Sequence, residues 1–457
     1  MIPNLKSKLK AMSSNSHLHN TGTDSSDKAA DVQKAGKDIV ESNPDGFIPV
    51  FDPAHYIGKG QTGRRNEDNV DMTNELGGQV IQSEQGSFFR KRTIYEKSSA
   101  YGSVKLSGLW TLDLSDINWW TRLDCDFSIQ DVVFLDTETT GLAGGTGTYP
   151  FLVGLGYITD EGLVVEQYLM RDFDEEYPML SAILDVLKKF RVLITFNGKS
   201  FDWPLLESRL VYSRLRPLYW EDSHLDLLHV ARRLWGRCLD SCSLTSIESN
   251  ILNRQREDDI PGHLIPKIYF DYLENRNADI MKQVISHNEW DIAAMAALLI
   301  HVCRLYDNPL GSTNPHELLS IAKELERNHK IHEASDCYRH CIHTADLHSL
   351  KVDAKKRYAY LKKRYEGPEE AMDIWEDLAE EKGSMLIFPL VEMAKYFEHG
   401  KKDFVKALEY TERAINLTNK LRCNNIVKNS SSRLKEDLLI RKKRLLKKIG
   451  RSMESWG

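Results

Sequence analysis

Residues 131–138 read Asp-Val-Val-Phe-Leu-Asp-Thr-Glu. A short apolar run that ends on a carboxylate reads as a buried strand whose end opens onto a site. Residues i and i+2 of a strand point to one face, so Asp136 and Glu138 converge on the same point. Two like charges side by side are costly unless cations neutralise them. Hard oxygen ligands favour magnesium or manganese. Taken alone, the same residues also fit a pair of solvated acids at a strand end.

Working outward, FLVGLGYI and LVVEQYLM read as the next two strands, joined by the turn Thr159-Asp160-Glu161-Gly162. A helix is expected near Tyr177 to Phe190, then the strand VLITF, a helix from about Ser200 and a strong helix near Ala278 to Leu305. Three strands, helix, strand, helix is an α/β order and predicts a mixed sheet flanked by helices over 126–308. Ahead of it, 46–125 is a lead-in segment in which Ser87 to Leu109 alternates and is rich in Phe, Tyr and Val, as short antiparallel strands are. The first stretch, 1–45, is Ser, Asn, Asp and Lys with almost no aromatic residues and reads as a disordered tail.

Beyond about Asn314 the periodicity is helical throughout. EASDCYRHCI, EEAMDIWEDL and KALEYTERAI recur with Ala334, Ala371 and Ala407 lying 37 and then 36 residues apart. A small residue there lets paired helices approach, and the period is near the roughly 34 residues of tetratricopeptide repeats, so 314–457 reads as an all-α repeat domain ending in a basic helix. An unrelated helical bundle is the alternative. The stretch KKRYAYLKKRY, Lys355 to Tyr365, fits a strand-binding face; a repeat helix with tyrosines inward and lysines solvated fits it better.

Two further elements carry chemistry. In Phe196-Asn197-Gly198-Lys199-Ser200-Phe201-Asp202 the carboxylate of Asp202 falls in the first turn of a helix, from which it could face the first pair. A simple helix N-terminal charge is the plainer reading. Thr139 and Asn197 are candidate substrate contacts. In His287-Asn288-Glu289-Trp290-Asp291 the histidine and aspartate are four apart and share a helical face. Asp226 at the end of HLD reads as a supporting acid. Gly144-Gly145-Thr146-Gly147 lacks the Gly-Lys-Ser/Thr ending of a phosphate loop and reads as a flexible loop over the site.

The order Asp-x-Glu, then Asn-x-x-x-Phe-Asp, then His-x-x-x-Asp resembles the DnaQ-like, or DEDD, exonuclease superfamily. Within it the chain resembles a bacterial family with a ribonuclease H-like core and C-terminal tetratricopeptide repeats. The stretches that carry this are FLDTETTGLAGGTGTYPFLVGLGY, TFNGKSFDWPLLESRL, HLDLLHVARRLW, SLTSIE, DDIPG and HNEWDIAAM, and the likeness runs from about Ser87 to Lys420. It implies an exonuclease with two divalent cations. Asp136 would bridge them, Glu138 and Asp291 would hold the ion that activates water, and Asp202 would assist the other. It also implies that His287 accepts the water's proton, that degradation runs 3′ to 5′ on DNA, and a repair setting with a helicase partner. One departure bears on His287: the superfamily spaces its histidine H-x4-D and its tyrosine Y-x3-D, and this chain has a histidine at the tyrosine spacing. RNA as substrate stays open, as does a catalytically silent scaffold whose repeats recruit a protein partner. Buried unpaired acids would only destabilise the latter.

The bulk properties set limits. Apolar residues make up 41% and charged ones 28%, and no run approaches the roughly 18 apolar residues that span a bilayer, so no membrane role is expected. Seven scattered cysteines form no CxxC pair, and their two four-residue spacings suit one helical face. A zinc site is therefore not expected, and a cytoplasmic location is. With a net charge of −6, nucleic acid must be drawn by local basic patches and bound metal.

Overall fold

The computed structural model describes residues 72–112, 114, 127–141, 147–220, 222–381, 386–423 and 430–454. The tail expected at 1–45 and residues 142–146 of the glycine-rich loop lie outside them.

Unbroken Val, Phe and Leu runs form strands buried on both faces, and such strands belong in the middle of a covered sheet. Strands β1 (Gln79–Ser83) and β2 (Gly86–Glu96) form a hairpin, and β3 (Ala100–Tyr101) and β4 (Val104–Lys105) a second small one. The core strands β5 (Val132–Thr139), β6 (Pro150–Ile158) and β7 (Gly162–Leu169) come next. Then come α1 (Glu176–Leu187), β8 (Val192–Thr195), α2 (Asp202–Tyr212), β9 (His224–Asp226), α3 (Leu227–Trp235), α4 (Leu244–Asn250), α5 (Ile265–Asn275) and the long α6 (Met281–Asp307). The seven-stranded sheet has the order β1-β2-β7-β6-β5-β8-β9, antiparallel up to β5 and parallel from β5 through β9. The expected mixed sheet flanked by helices is therefore the observed one. The lead-in hairpin joins this same sheet, because β2 pairs along β7 from Phe89 opposite Leu169 to Glu96 opposite Gly162.

Helix α6 crosses the sheet over β6, and two glycines make that approach possible. A Cβ at Gly154 would lie 2.3 Å from Asn288 Oδ1, and one at Gly156 would lie 2.3 Å from Ile292 Cγ2. Between them the strand offers α6 a groove, and Ile292 to Ile300 are fully buried there.

Seven helices complete the described chain: α7 (Pro315–Arg327), α8 (Ile331–Thr344), α9 (His348–Tyr365), α10 (Met372–Glu380), α11 (Ile387–His399), α12 (Phe404–Cys423) and α13 (Ser430–Glu454). Ala334, Ala371 and Ala407 are fully buried, as close helix approach requires. The apolar cluster under the sheet continues through Trp235 into Leu318, Ala322, Ala334, Tyr338 and Ala354, and Trp235 Nε1 donates to Glu317 at 2.6 Å. A separate cluster around Trp375, Met393 and Ala414 holds the later helices together.

Two sequence expectations are corrected. On α9 the tyrosines divide: Tyr358 packs half-buried against the core as expected, but Tyr360 and Tyr365 are exposed, and Leu350, Ala354, Ala359 and Leu361 fill the inner face. Nor are its lysines simply solvated, since Lys355, Lys362 and Lys363 pair with Asp377, Glu366 and Glu392. Cys337 and Cys341 do share a face of α8, but Cys238 and Cys242 lie beyond the end of α3, which Gly236 terminates.

Candidate active site

Each expected carboxylate comes from a different local device. Alternation along β5 places Asp136 and Glu138 on one face, and the pairing with β6 shifts register between Glu138 and Thr139. Such a bulge re-aims the next side chains and ends regular pairing beside a site. The hydroxyl of Thr139 donates to Gly141 O at 2.9 Å and so braces the start of the loop.

Asp202 is the first residue of α2 and bonds back to the strand: Thr137 donates to its Oδ1 from the backbone at 3.1 Å and from Oγ1 at 2.5 Å. The loop before it is held by a buried acid. Asp226 accepts from the backbone N–H groups of Asn197 at 2.8 Å, Lys199 at 3.1 Å and Leu228 at 3.0 Å, which fastens the loop and caps α3 together. Asn197 takes a positive φ of 68°, and Gly198 packs so closely on Thr195 that a Cβ would sit 2.5 Å from its Cβ.

His287 and Asp291 share one face of α6 as their spacing predicts. His287 Nε2 lies 3.7 Å from Asp291 Oδ2 and 3.9 Å from Glu138 Oε1. Glu138, His287 and Asp291 each bring a ligand atom within 4.8 Å of the others. Asp136 is turned toward Asn288, whose Nδ2 donates to its Oδ2 at 2.8 Å.

Sequence reasoning missed the residues that hold this arrangement. Asn288 is wholly buried, and its Oδ1 accepts from Gln167 at 2.9 Å. Asp259 Oδ1 lies 2.7 Å from His287 Nδ1. Arg256 donates to Asp291, to Asp259 Oδ2 at 3.2 Å and to Glu248 Oε1 at 3.1 Å. Glu248 also accepts from Tyr101 at 2.5 Å, so the small second hairpin reaches the site through it. The signal was present in SLTSIE and DDIPG, acid-bearing stretches in the order of the other motifs. Nothing local shows which acid turns inward.

The electrostatics are those of crowded anions. Burial, then the charges of Asp291 and Asp202, push Asp136 well above the usual carboxylate range. Burial, then Asp136, Asp291 and Asp202, do the same to Glu138. Asp202 is pushed up to about 6 by burial, against the opposing bonds from Thr137. Burial opposes the charge on Arg256, yet Asp291 and Glu248 outweigh it and its pKa rises. One guanidinium offsets only part of this negative charge. A buried set of oxygen donors that repel one another as anions fits a hard divalent cation.

The same class emerges from comparison with known proteins. Residues 133–303 match the family model described as the RNase_H superfamily. The uncharacterized protein YprB of Bacillus subtilis (strain 168) is 33% identical over 295 residues, 63% of this chain and 70% of the relative. The chain belongs to the ribonuclease H superfamily, in the family of that Bacillus protein. Its α/β domain is thus of a nuclease type that binds nucleic acid. Among the described residues no helix is long and apolar enough to cross a membrane.

Proposed function

We propose that the chain is a metal-dependent exonuclease that degrades DNA from the 3′ end, in the setting of DNA repair. The observation that supports this most is the convergence of Asp136, Glu138, Asp202 and Asp291, carried by β5, α2 and α6, around the end of one central strand. These four would hold two divalent cations, magnesium or manganese. Such ions, when bound, stabilise the attacking and leaving oxygens of a phosphodiester.

The chain's own contribution is orientation. Asn288 holds Asp136, Thr137 holds Asp202, Arg256 holds Asp291 and Asp259 holds His287, so little reorganisation is needed when substrate arrives. Thr139, at the end of β5, and Asn197, on the loop before α2, would meet the nucleic-acid backbone. The C-terminal helices would dock a protein partner, and a helicase suits an enzyme that needs exposed 3′ ends.

The test is a gel assay of the full chain on end-labelled single- and double-stranded DNA and RNA, with magnesium, manganese or chelator, beside Asp136→Ala. A metal-dependent ladder receding from the 3′ end of DNA, absent in the variant, is expected. Cleavage of RNA alone would overturn the substrate, and no cleavage by folded protein with metal would overturn the enzyme.

A further inference from the structure

We propose that the second half of α13 is a nucleic-acid interface, a cationic face that takes the phosphate backbone of DNA in addition to the carboxylate site. The proposal does not depend on cleavage, and it gives a role to the basic helix that ends the helical region.

The argument begins with charge. From Leu438 to Met453 the helix carries seven cations, all between Arg441 and Arg451, and no acid. Like charges three and four residues apart on one helix destabilise it. A face kept only for solubility intersperses the two signs. Here the acids supplied by neighbouring helices fall short. Arg441, Arg444 and Lys448 all converge on Glu398 of α11, at 2.7, 2.8 and 2.9 Å. The side chain of Glu398 is fully buried, so a single carboxylate faces three cations. Lys442 pairs with Glu412 at 2.8 Å. Lys443, Lys447 and Arg451 are exposed and form no ion pair among the described residues. The seven cations are thus paired with two carboxylates, and the face keeps a large positive excess.

The geometry suits a strand of phosphates. Lys443, Lys447 and Arg451 stand four residues apart, so they run along one side of α13 with roughly 6 Å of rise between successive charges. That rise is close to the separation of neighbouring phosphates on a strand. Beside the row, Arg444 and Lys448 keep 45% and 34% of their side chains exposed while Glu398 holds them in place. Side chains ordered in advance lose less freedom on binding.

The same observations choose among occupants. The inward apolar edge of α13, Leu438 and Leu445, is already buried in the helical array, so it has no edge to lay into a bilayer. Exposed Leu439, Ile440 and Leu446 lie among the cations and are outnumbered by them. A second copy of this chain would bring the same positive face and be repelled. A polyanion is drawn instead, and in a chain of net charge −6 only a local face of this kind can steer one. Contacts of this type go to the backbone and carry no base sequence.

The experiment follows binding of the full chain to fluorescently labelled single-stranded and duplex DNA of mixed sequence, in chelator, by anisotropy across about 50 to 200 mM salt. Lys443→Gln, Lys447→Gln and Arg451→Gln combined should weaken binding about tenfold or more at low salt and flatten the plot of log affinity against log salt by about 2–3. Lys105→Gln, Lys189→Gln and Lys267→Gln combined remove the same charge from exposed sites of the α/β domain and should leave affinity near wild type. Unchanged affinity and slope in the folded α13 variant would overturn the proposal, and equal loss in both variants would reduce it to bulk charge and overturn it too. Vesicles of phosphatidylglycerol and phosphatidylcholine supply a second anionic surface. Vesicle binding lost in the α13 variant, with DNA binding intact, would make this a lipid face and overturn the proposal. Should the variant fail to fold, lysine acetylation of the wild type read by mass spectrometry decides. Bound DNA should protect Lys443 and Lys447, and equal labelling with and without DNA would overturn the assignment. Cleavage enters neither readout, so a silent carboxylate site would leave the proposal standing.

Discussion

Replacing Asp202 with asparagine should stabilise the metal-free protein, and the size of the gain can be worked from the site. Burial lifts Asp202 from 3.8 to about 6, with Asp226 adding to the rise and the bonds from Thr137 opposing it. A rise of about two units corresponds to roughly 3 kcal/mol between protonation states. Asp202 keeps some contact with water, which lowers the expected gain to about 1–3 kcal/mol. The sign is set by linkage. Above pH 6 the carboxylate is ionised in both folded and unfolded chains, and the folded state bears the penalty. Between about pH 6 and 4 the folded chain takes up the proton first and the penalty falls, and only well below the unfolded value of 3.8 is the group protonated in both states and the penalty gone. Asparagine keeps a carbonyl oxygen for Thr137 and carries no charge. In chelator at pH 8, Asp202→Asn should therefore unfold at higher urea than wild type, and its advantage should shrink as pH falls below about 6 and vanish only well below 3.8. Tryptophan fluorescence can track the transition, because Trp203 is the next residue and is buried. Added Mg2+ or Mn2+ should reverse the order, since the wild type alone regains the offset of its charge. Equal stability at pH 8, or an advantage that grows on acidification, would refute the view of Asp202 as a strained anion.

Other perturbations probe the remaining parts. Asp136→Ala should abolish cleavage while leaving circular dichroism and melting close to wild type; retained activity would remove Asp136 from the chemistry. Gly154→Ala places a Cβ 2.3 Å from Asn288 Oδ1, so it should displace Asn288 from Asp136, cost about 1–3 kcal/mol in stability and lower kcat. Unchanged unfolding and turnover would show that α6 does not depend on the groove. Trp375→Ala should cost about 3–5 kcal/mol, confined to the later helices, because its cluster is separate from the one under the sheet. Hydrogen exchange should then rise across α10 to α12 with the α/β domain protected, and uniform loss of protection would contradict that separation.

How much of this was legible in advance depends on range. The strand at β5, the hairpin of β6 and β7, and the helices α1, α2 and α6 stand close to where alternation and helical periodicity put them. Those periods arise from hydrogen bonding over a few residues, so they are written locally. The α9 stretch shows the limit, since a basic, tyrosine-rich pattern does not reveal that its alanines and leucines face inward. The later helices, α7 to α13, read as helical for the same local reason, while the continuous core from the sheet through Trp235 to Ala354 did not show in the spacing of repeats.

At the site the division is sharper. Sequence by itself determined that Asp136 and Glu138 share a strand face and that His287 and Asp291 share a helix face, because both are consequences of backbone geometry within five residues. Only the tertiary structure decided that Arg256 would join Asp291, Asp259 and Glu248, that Asp259 would stand behind His287, and that Asn288 would reach Asp136. Those contacts join segments distant in the chain, and the last exists because Gly154 leaves room for a side chain that no local pattern connects to it.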